Sequence, residues 1–257
     1  MSSLPLIIGH RGAAKKCPEN TMVSFDLAFK SVQAVEFDLW LSRDRVPFIF
    51  HDAKLERTTN GTGYAISKEW KDLQTLDAGF GFDPQQDKSF PFRGQDVKIP
   101  HFEELLEKYA GKHLSVEIKQ NSVDLVHEAL RLLTRYKCLE NCVVGSKHHQ
   151  VWETMKKFYP EIPRFFSRRE IILNFLDFKR GLTPQPDPYA VASLPVQKQC
   201  GMNFKAGSFI DYLHARKIKV FFWTVNDGET ILDLTRAKAD AIISDDPGFA
   251  SQILRKI

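Results

Sequence analysis

Short β-rich apolar runs alternate with stretches of helical period along the chain. The runs of strand character are Leu6–His10, Ala34–Leu41, His113–Ile118, Cys142–Gly145, Pro163–Phe166, Ala190–Leu194, Lys219–Thr224 and Asp240–Ser244. Between them lie helical patterns at Asn20–Ser31, Phe102–Tyr109, Val123–Tyr136, Gln150–Tyr159, Arg169–Leu176, Phe209–Lys217 and Glu229–Ala237. Eight strands alternating with helices in 257 residues predict the α/β class and a (β/α)8 TIM barrel.

One run breaks the alternation. Val46–Phe50 follows Leu41 after only Ser42-Arg43-Asp44-Arg45, and a parallel crossover needs a dozen or more residues. Pro47 cannot donate to a ladder, which also argues against a central stave. Residues 36–51 therefore predict a hairpin above the barrel, returning His51 toward the strand end that carries Glu36. Residues 52–99 are rich in Gly, Pro and polar groups and too long for a plain loop. They predict a small inserted subdomain after the second strand, leaving 1–51 and 100–257 as the barrel domain.

The strand period then locates chemistry. In Ala34–Leu41, Val35, Phe37 and Leu39 share one face, and Glu36 and Asp38 share the other. In His113–Ile118 and the following residue, Leu114, Val116 and Ile118 point one way, Glu117 and Lys119 the other. Three carboxylates and one lysine thus converge at adjacent strand ends, where unpaired charge is costly. A divalent cation held by Glu36, Asp38 and Glu117 resolves this, as would a rim of salt bridges, which leaves the excess negative charge unexplained. His10 ends the first strand and His51 ends the hairpin, so both suit general acid and base work beside that site. Arg11 offers a fixed fork of donors matched to phosphate oxygens.

Composition narrows the class further. The chain is 43% hydrophobic and 26% charged, which excludes disorder, coiled coil and collagen-like repeats. Net charge is +4, too small and diffuse for nucleic acid but suited to an anionic small-molecule substrate. Cys17, Cys138, Cys142 and Cys200 show neither a disulfide framework nor zinc spacing, so reduced thiols in the cytoplasm are expected. No signal peptide or transmembrane segment is expected.

Seven motifs carry a specific resemblance. His10-Arg11-Gly12, Pro18-Glu19-Asn20-Thr21, Glu36-Phe37-Asp38, His51-Asp52, Glu117-Ile118-Lys119, Trp223-Thr224-Val225-Asn226 and Ile242 through Pro247 resemble, in order, those of the glycerophosphodiester phosphodiesterase family. The resemblance implies a TIM barrel with an insertion that hydrolyses glycerophosphodiesters to glycerol 3-phosphate and an alcohol. It implies one divalent cation, Mg²⁺ or Ca²⁺, on Glu36, Asp38 and Glu117, His10 and His51 as the acid/base pair, and Arg11 and Lys119 on phosphate. Two positions depart from the family pattern: Gly145-Ser146-Lys147 replaces Ser-Phe, and Phe80 and Phe82 stand where Trp-Phe is common.

The remaining residues divide between site and scaffold. Trp223, at a strand end, is read as a wall of the substrate pocket. Asn20 reads as an N-cap, the preceding Glu19 is weighed for direct contact with the site, and Asp246-Pro247 reads as a cap with proline at the first helical position. His148-His149 reads as a solvated pair, and His101, His113, His127 and His214 match no motif. A lysophospholipase D or sphingomyelinase D-like activity is the alternative on the same barrel, favoured by an apolar rim of Phe80, Phe82, Phe90 and Phe92. A non-catalytic phosphodiester-binding protein is the alternative of another class. Oligomeric state is not written in the sequence.

Overall fold

The computed structural model describes residues 4–183, 185–197, 202–205 and 207–257, so the expectation for Cys200 lies outside the described residues. In chain order the elements are β1 (Leu6–Gly9), α1 (Met22–Phe29), β2 (Ala34–Leu41), β3 (Pro47–Ile49), α2 (Trp70–Leu73), α3 (Phe102–Lys108), β4 (His113–Ile118), α4 (Val123–Arg135) and β5 (Cys142–Gly145). They continue as α5 (His149–Phe158), β6 (Arg164–Phe165), α6 (Arg168–Lys179), β7 (Ala190–Pro195), α7 (Gly207–Ala215), β8 (Lys219–Trp223), α8 (Gly228–Arg236), β9 (Ala241–Ser244) and α9 (Pro247–Leu254). The sheet order runs β1-β9-β8-β7-β6-β5-β4-β2-β3, and β1 also pairs with β2. That last pairing closes eight parallel strands into a barrel. β3 stands outside the ring, antiparallel to the end of β2 through Leu39–Ile49 and Leu41–Pro47. The short link after Leu41 allows nothing else.

Side-chain alternation builds two layers. Ile8, Ala34, Phe165, Val191, Phe221, Ala241 and Ile243 fill the barrel. Val35, Phe37, Leu39, Leu114, Val116 and Ile118 face outward into the main core under the helices. Glu36 and Asp38 occupy inward positions on β2 above Ala34, so the strand carries them to the barrel mouth. Polar caps start the helices sharply: Thr21, Ser122, Ser167, Asp227 and Asp246 each accept from a backbone N–H of the first turn. Asp246 with Pro247 at the start of α9 is thus the cap the sequence suggests.

A third apolar cluster lies under residues 52–99. Phe48 and Phe50 from the hairpin join Leu55, Ala65, Leu73, Ala78, Val97 and Ile99 there. β3 is therefore shared, because it hydrogen-bonds to the barrel and sends Phe48 into this third cluster while Ile49 joins the main core. Among the described residues, no helix is long and apolar enough to cross a membrane.

Candidate active site

Glu36, Asp38 and Glu117 meet as the alternation requires, each offering an oxygen within 4.8 Å of the others. Glu36 and Asp38 are buried. Burial, with Asp38 and Glu117 adding repulsion, pushes the Glu36 carboxyl up to about 8 against the pull of His10 and Arg11. Glu117 moves up by burial and Asp38 as well, with Lys119 opposing. Lys119 Nζ sits 3.3 Å from both Asp38 Oδ1 and Glu117 Oε1, and Arg11 Nε sits 3.4 Å from Asp38 Oδ2, two positive charges for three carboxylates. Asp38 Oδ1 is buried and accepts no hydrogen bond. An orphaned oxygen among crowded carboxylates fits a hard divalent cation, whose ligands are oxygens at about 2.0–2.6 Å.

The other Asp38 oxygen is already held. Asn20 Nδ2 donates to Asp38 Oδ2 at 2.7 Å, and Asn20 stands in the left-handed region with φ 56°. Thr21, not Asn20, caps α1 by accepting from Ser24 N. This corrects the sequence reading of Asn20: a left-handed residue turns its amide toward the carboxylate instead of the helix end.

Each histidine is tethered by a carboxylate. His10 Nδ1 lies 2.6 Å from Asp245 Oδ1, and Asn226 Nδ2 donates to Asp245 Oδ2 at 2.7 Å. His51 Nδ1 lies 2.5 Å from Asp52 Oδ1. The two rings titrate apart. Burial works against protonation of His10, but Asp245 and Glu36 outweigh it and raise its pKa. Burial lowers His51, and Arg11 and Lys119 add to that despite Asp38 and Asp52.

Arg11 sits in a tight turn at φ 49°, its N–H donating to Glu36 Oε2 at 3.1 Å. Gly12 follows at φ +90°, where a Cβ would stand 2.4 Å from Ser24 Oγ, so only glycine lets the turn close on α1. Arg11 Nη1 donates to Glu19 Oε1 at 2.8 Å. Arg57 donates to the same carboxylate through Nη1 at 2.7 Å and Nη2 at 2.6 Å, and through Nε to Asp52. Burial works against ionisation of Glu19, but Arg57 and Arg11 dominate and bring it down to about 2.

His10, Arg11, Glu36, His51, Glu117, Lys119 and Trp223 all line one cavity of about 780 Å³, with Asp38 buried beside Glu36 and Glu117. The residues expected for acid/base work, cation, phosphate and pocket wall all meet here. The sequence reading gave no role to Asp52, Asp245, Asn226 and Arg57, and weighed Glu19 only for direct contact. Asp52, Asn226 and Asp245 lie within the quoted motifs, which was the available signal. Two expectations need correction. His148 and His149 are not simply solvated: His148 Nε2 lies 3.2 Å from the Lys119 carbonyl, and His149 Nδ1 lies 3.0 Å from Ser167 Oγ. Phe80, Phe82, Phe90 and Phe92 form no rim of the cavity. Phe80 and Phe90 stack on Arg93, and Phe82 packs edge-on against Phe92.

A model of the glycerophosphoryl diester phosphodiesterase family matches residues 10–249. The chain belongs to that family. As a family member with both histidines and all three carboxylates in place, it is an enzyme of the phosphoric diester hydrolase class. The Bacillus subtilis protein YhdW is 31% identical over 95% of each chain. A human lysophospholipase D is 24% identical, over 93% of this chain and 83% of its own. An Oleispira antarctica phosphodiesterase, solved with its product sn-glycerol-3-phosphate, is 26% identical and matches the fold with a TM-score of 0.76, covering 98% of this chain and 97% of that one.

Proposed function

We propose that the enzyme hydrolyses glycerophosphodiesters to glycerol 3-phosphate and an alcohol, with Mg²⁺ or Ca²⁺ held by Glu36, Asp38 and Glu117. The observation that carries this reading is the meeting of three carboxylates and two carboxylate-tethered histidines in one cavity. When bound, the cation neutralises the phosphodiester and stabilises the charge that grows on its oxygens. Arg11, oriented by Glu19, grips a phosphate oxygen through its free donors, and Lys119 adds a point charge from the end of β4. His51, kept neutral by burial and by Arg11 and Lys119, takes the proton of the attacking oxygen. His10, kept protonated by Asp245, donates to the leaving alkoxide. Opposite shifts in a matched pair are the usual signature of that division of labour.

Residues 52–99 act in this reading as a subdomain on the barrel mouth that supplies Asp52 and Arg57. A cytoplasmic setting is supported by Cys17, Cys138 and Cys142, which are buried free thiols. The substrate is a small anionic diester, consistent with the positive groups in the cavity, and no nucleic acid is invoked. The deciding experiment is a glycerophosphodiester panel run with added Mg²⁺ or Ca²⁺ and again with EDTA, reading glycerol 3-phosphate release. Activity that survives exhaustive chelation, or release of no phosphomonoester from any diester, ends the proposal.

A further inference from the structure

The two ends of the barrel carry different chemistry. β8 begins at Lys219 and ends at Trp223, so base and mouth lie one strand length apart. At the base, the turns that lead from each helix to the next strand collect basic side chains. Lys137, Lys217 and Lys238 stand there in the left-handed region, with φ of 57°, 60° and 63°. Glycine or asparagine ordinarily takes that position after a helix, so three lysines place charge where the backbone favours a neutral residue. Lys30 and Arg180 close α1 and α6, and Lys219, Arg255 and Lys256 complete the face. All eight are exposed, and none has a carboxylate within 4.0 Å among the described residues. Asp187 and Asp240, in the same turns, are already held by Arg164 and His214 at 2.9 Å each. The exposed carboxylates described there are Glu140 and Glu161, two against eight. That excess of six is larger than the +4 of the whole chain. The sequence scatters these residues, and the fold gathers them.

Helix ends explain part of this, because their carbonyls point at the base and favour nearby cations. They do not explain Lys219, which belongs to a strand, or the apolar tips that share the face. Leu4 precedes β1, and Leu182 and Tyr189 lie between α6 and β7; they are 53%, 50% and 42% exposed. A cavity of about 660 Å³ opens on the same face, walled by Leu4, Leu6, Phe221 and Leu254 with Lys219 and Arg255 beside them. Its one carboxylate, Asp240, is engaged, accepting from the Val220 N–H at 2.7 Å. Cations set around wet apolar tips fit a surface that is negative outside and hydrocarbon beneath. A nucleic acid would match the charge and leave Leu4 and Leu182 in water.

We propose that the base of the barrel docks on an anionic phospholipid bilayer. Leu4, Leu182 and Tyr189 enter the headgroup layer, and the lysines and arginines rest on its phosphates. The cavity beside Lys219 and Arg255 receives one anionic headgroup. Docking by the base turns the mouth toward water, so the catalytic site stays open to dissolved diesters. The inference goes beyond the phosphodiesterase reading and does not depend on it, because docking is read without turnover.

The test is sedimentation of the full chain with vesicles of phosphatidylcholine, alone or with added phosphatidylserine. The expected result is binding to the second set only, weakening as added salt screens the charges. Asparagine tolerates the left-handed turn, so a triple variant with Lys137→Asn, Lys217→Asn and Lys238→Asn should melt as the wild type does. At roughly fivefold per cation, it should bind the anionic vesicles about 100-fold more weakly. Leu182→Asp should weaken the same binding, and turnover of a bare glycerophosphodiester should be the same on and off the vesicles. No binding to anionic vesicles, equal binding to both sets, or undiminished binding by the triple variant overturns the inference. So does turnover that stops on the vesicles, which would put the mouth against the lipid. An oligonucleotide bound more tightly than the vesicles, with Leu182→Asp changing neither, assigns the face to nucleic acid and overturns the inference as well.

Discussion

Arg57 donates from both terminal nitrogens to Glu19 and from Nε to Asp52, so one guanidinium restrains the partners of both Arg11 and His51. It is about half exposed, and surface ion pairs add little to stability, so its effect belongs to positioning. Arg57→Ala should therefore lower kcat/KM on a bare diester by about 10- to 100-fold with little change in melting temperature. Arg57→Lys should recover almost nothing, because a point charge cannot span two carboxylates. Free guanidinium in the buffer should restore part of the Arg57→Ala loss. Wild-type kinetics in Arg57→Ala would remove the restraint argument. The histidines give a second comparison at this scale. Each replacement by Ala should cost about 10²- to 10⁴-fold in kcat. A nitrophenyl diester needs no proton on departure, so it should rescue His10→Ala and leave His51→Ala impaired. Equal rescue of both would defeat the assignment of donor and acceptor, and rescue of His51→Ala alone would reverse it.

Between Arg11 and β2, the start of α1 does two jobs with adjacent residues. Asn20 reaches back to Asp38, and Thr21 caps the helix. Partners behind a metal ligand tune affinity, typically by 10- to 100-fold. Asn20→Ala should thus raise the cation concentration needed for half-maximal activity by about that factor. Thr21→Ala should cost about 1 kcal/mol of stability and leave that concentration unchanged. Cation titrations and thermal melts of the two variants separate the roles, and an identical cation response would refute them. This pair also marks where sequence stops being informative. β2 and β4 were legible because a strand's period of two fixes which side chains face inward. The hairpin was legible because four residues after Leu41 cannot hold a crossover and Pro47 cannot pair fully. Asn20 was not, because cap chemistry and a left-handed reach use the same residue type at the same place. Nor was the Glu19–Arg57 pair, whose members lie 38 residues apart and meet only in the folded chain. The apolar side of the cavity was sought among the insertion's phenylalanines, yet it comes from α6 and the segment before α7, whose helical pattern alone does not say which residue faces a cavity.

For the molecule as a whole, the acidic mouth makes stability, cation and pH interdependent. Glu36 has an ordinary value of 4.5 and sits at about 8 in the fold without a cation. Between those values the cation-free folded state holds a proton that the unfolded chain has released. Stability therefore falls as pH rises through that window, the sign expected when the folded state binds more protons. Glu19 and Asp52 shift the other way, both to about 2, so what they contribute is present above their ordinary values and lost only in strong acid. A bound divalent cation reverses the penalty at Glu36, because it requires the ionised carboxylate and its apparent affinity rises with pH. At a hundred times its Kd a ligand adds about 2.7 kcal/mol, worth roughly 5–10 °C for a chain of this size. Melting curves with Mg²⁺ or Ca²⁺ and with EDTA should accordingly diverge by about that much near pH 8 and converge near pH 5. Glu36→Gln should remove most of the pH dependence of the EDTA curve, since it carries no titrating proton there. A cation-induced gain that stays constant from pH 5 to pH 8 would place the ion somewhere other than on Glu36.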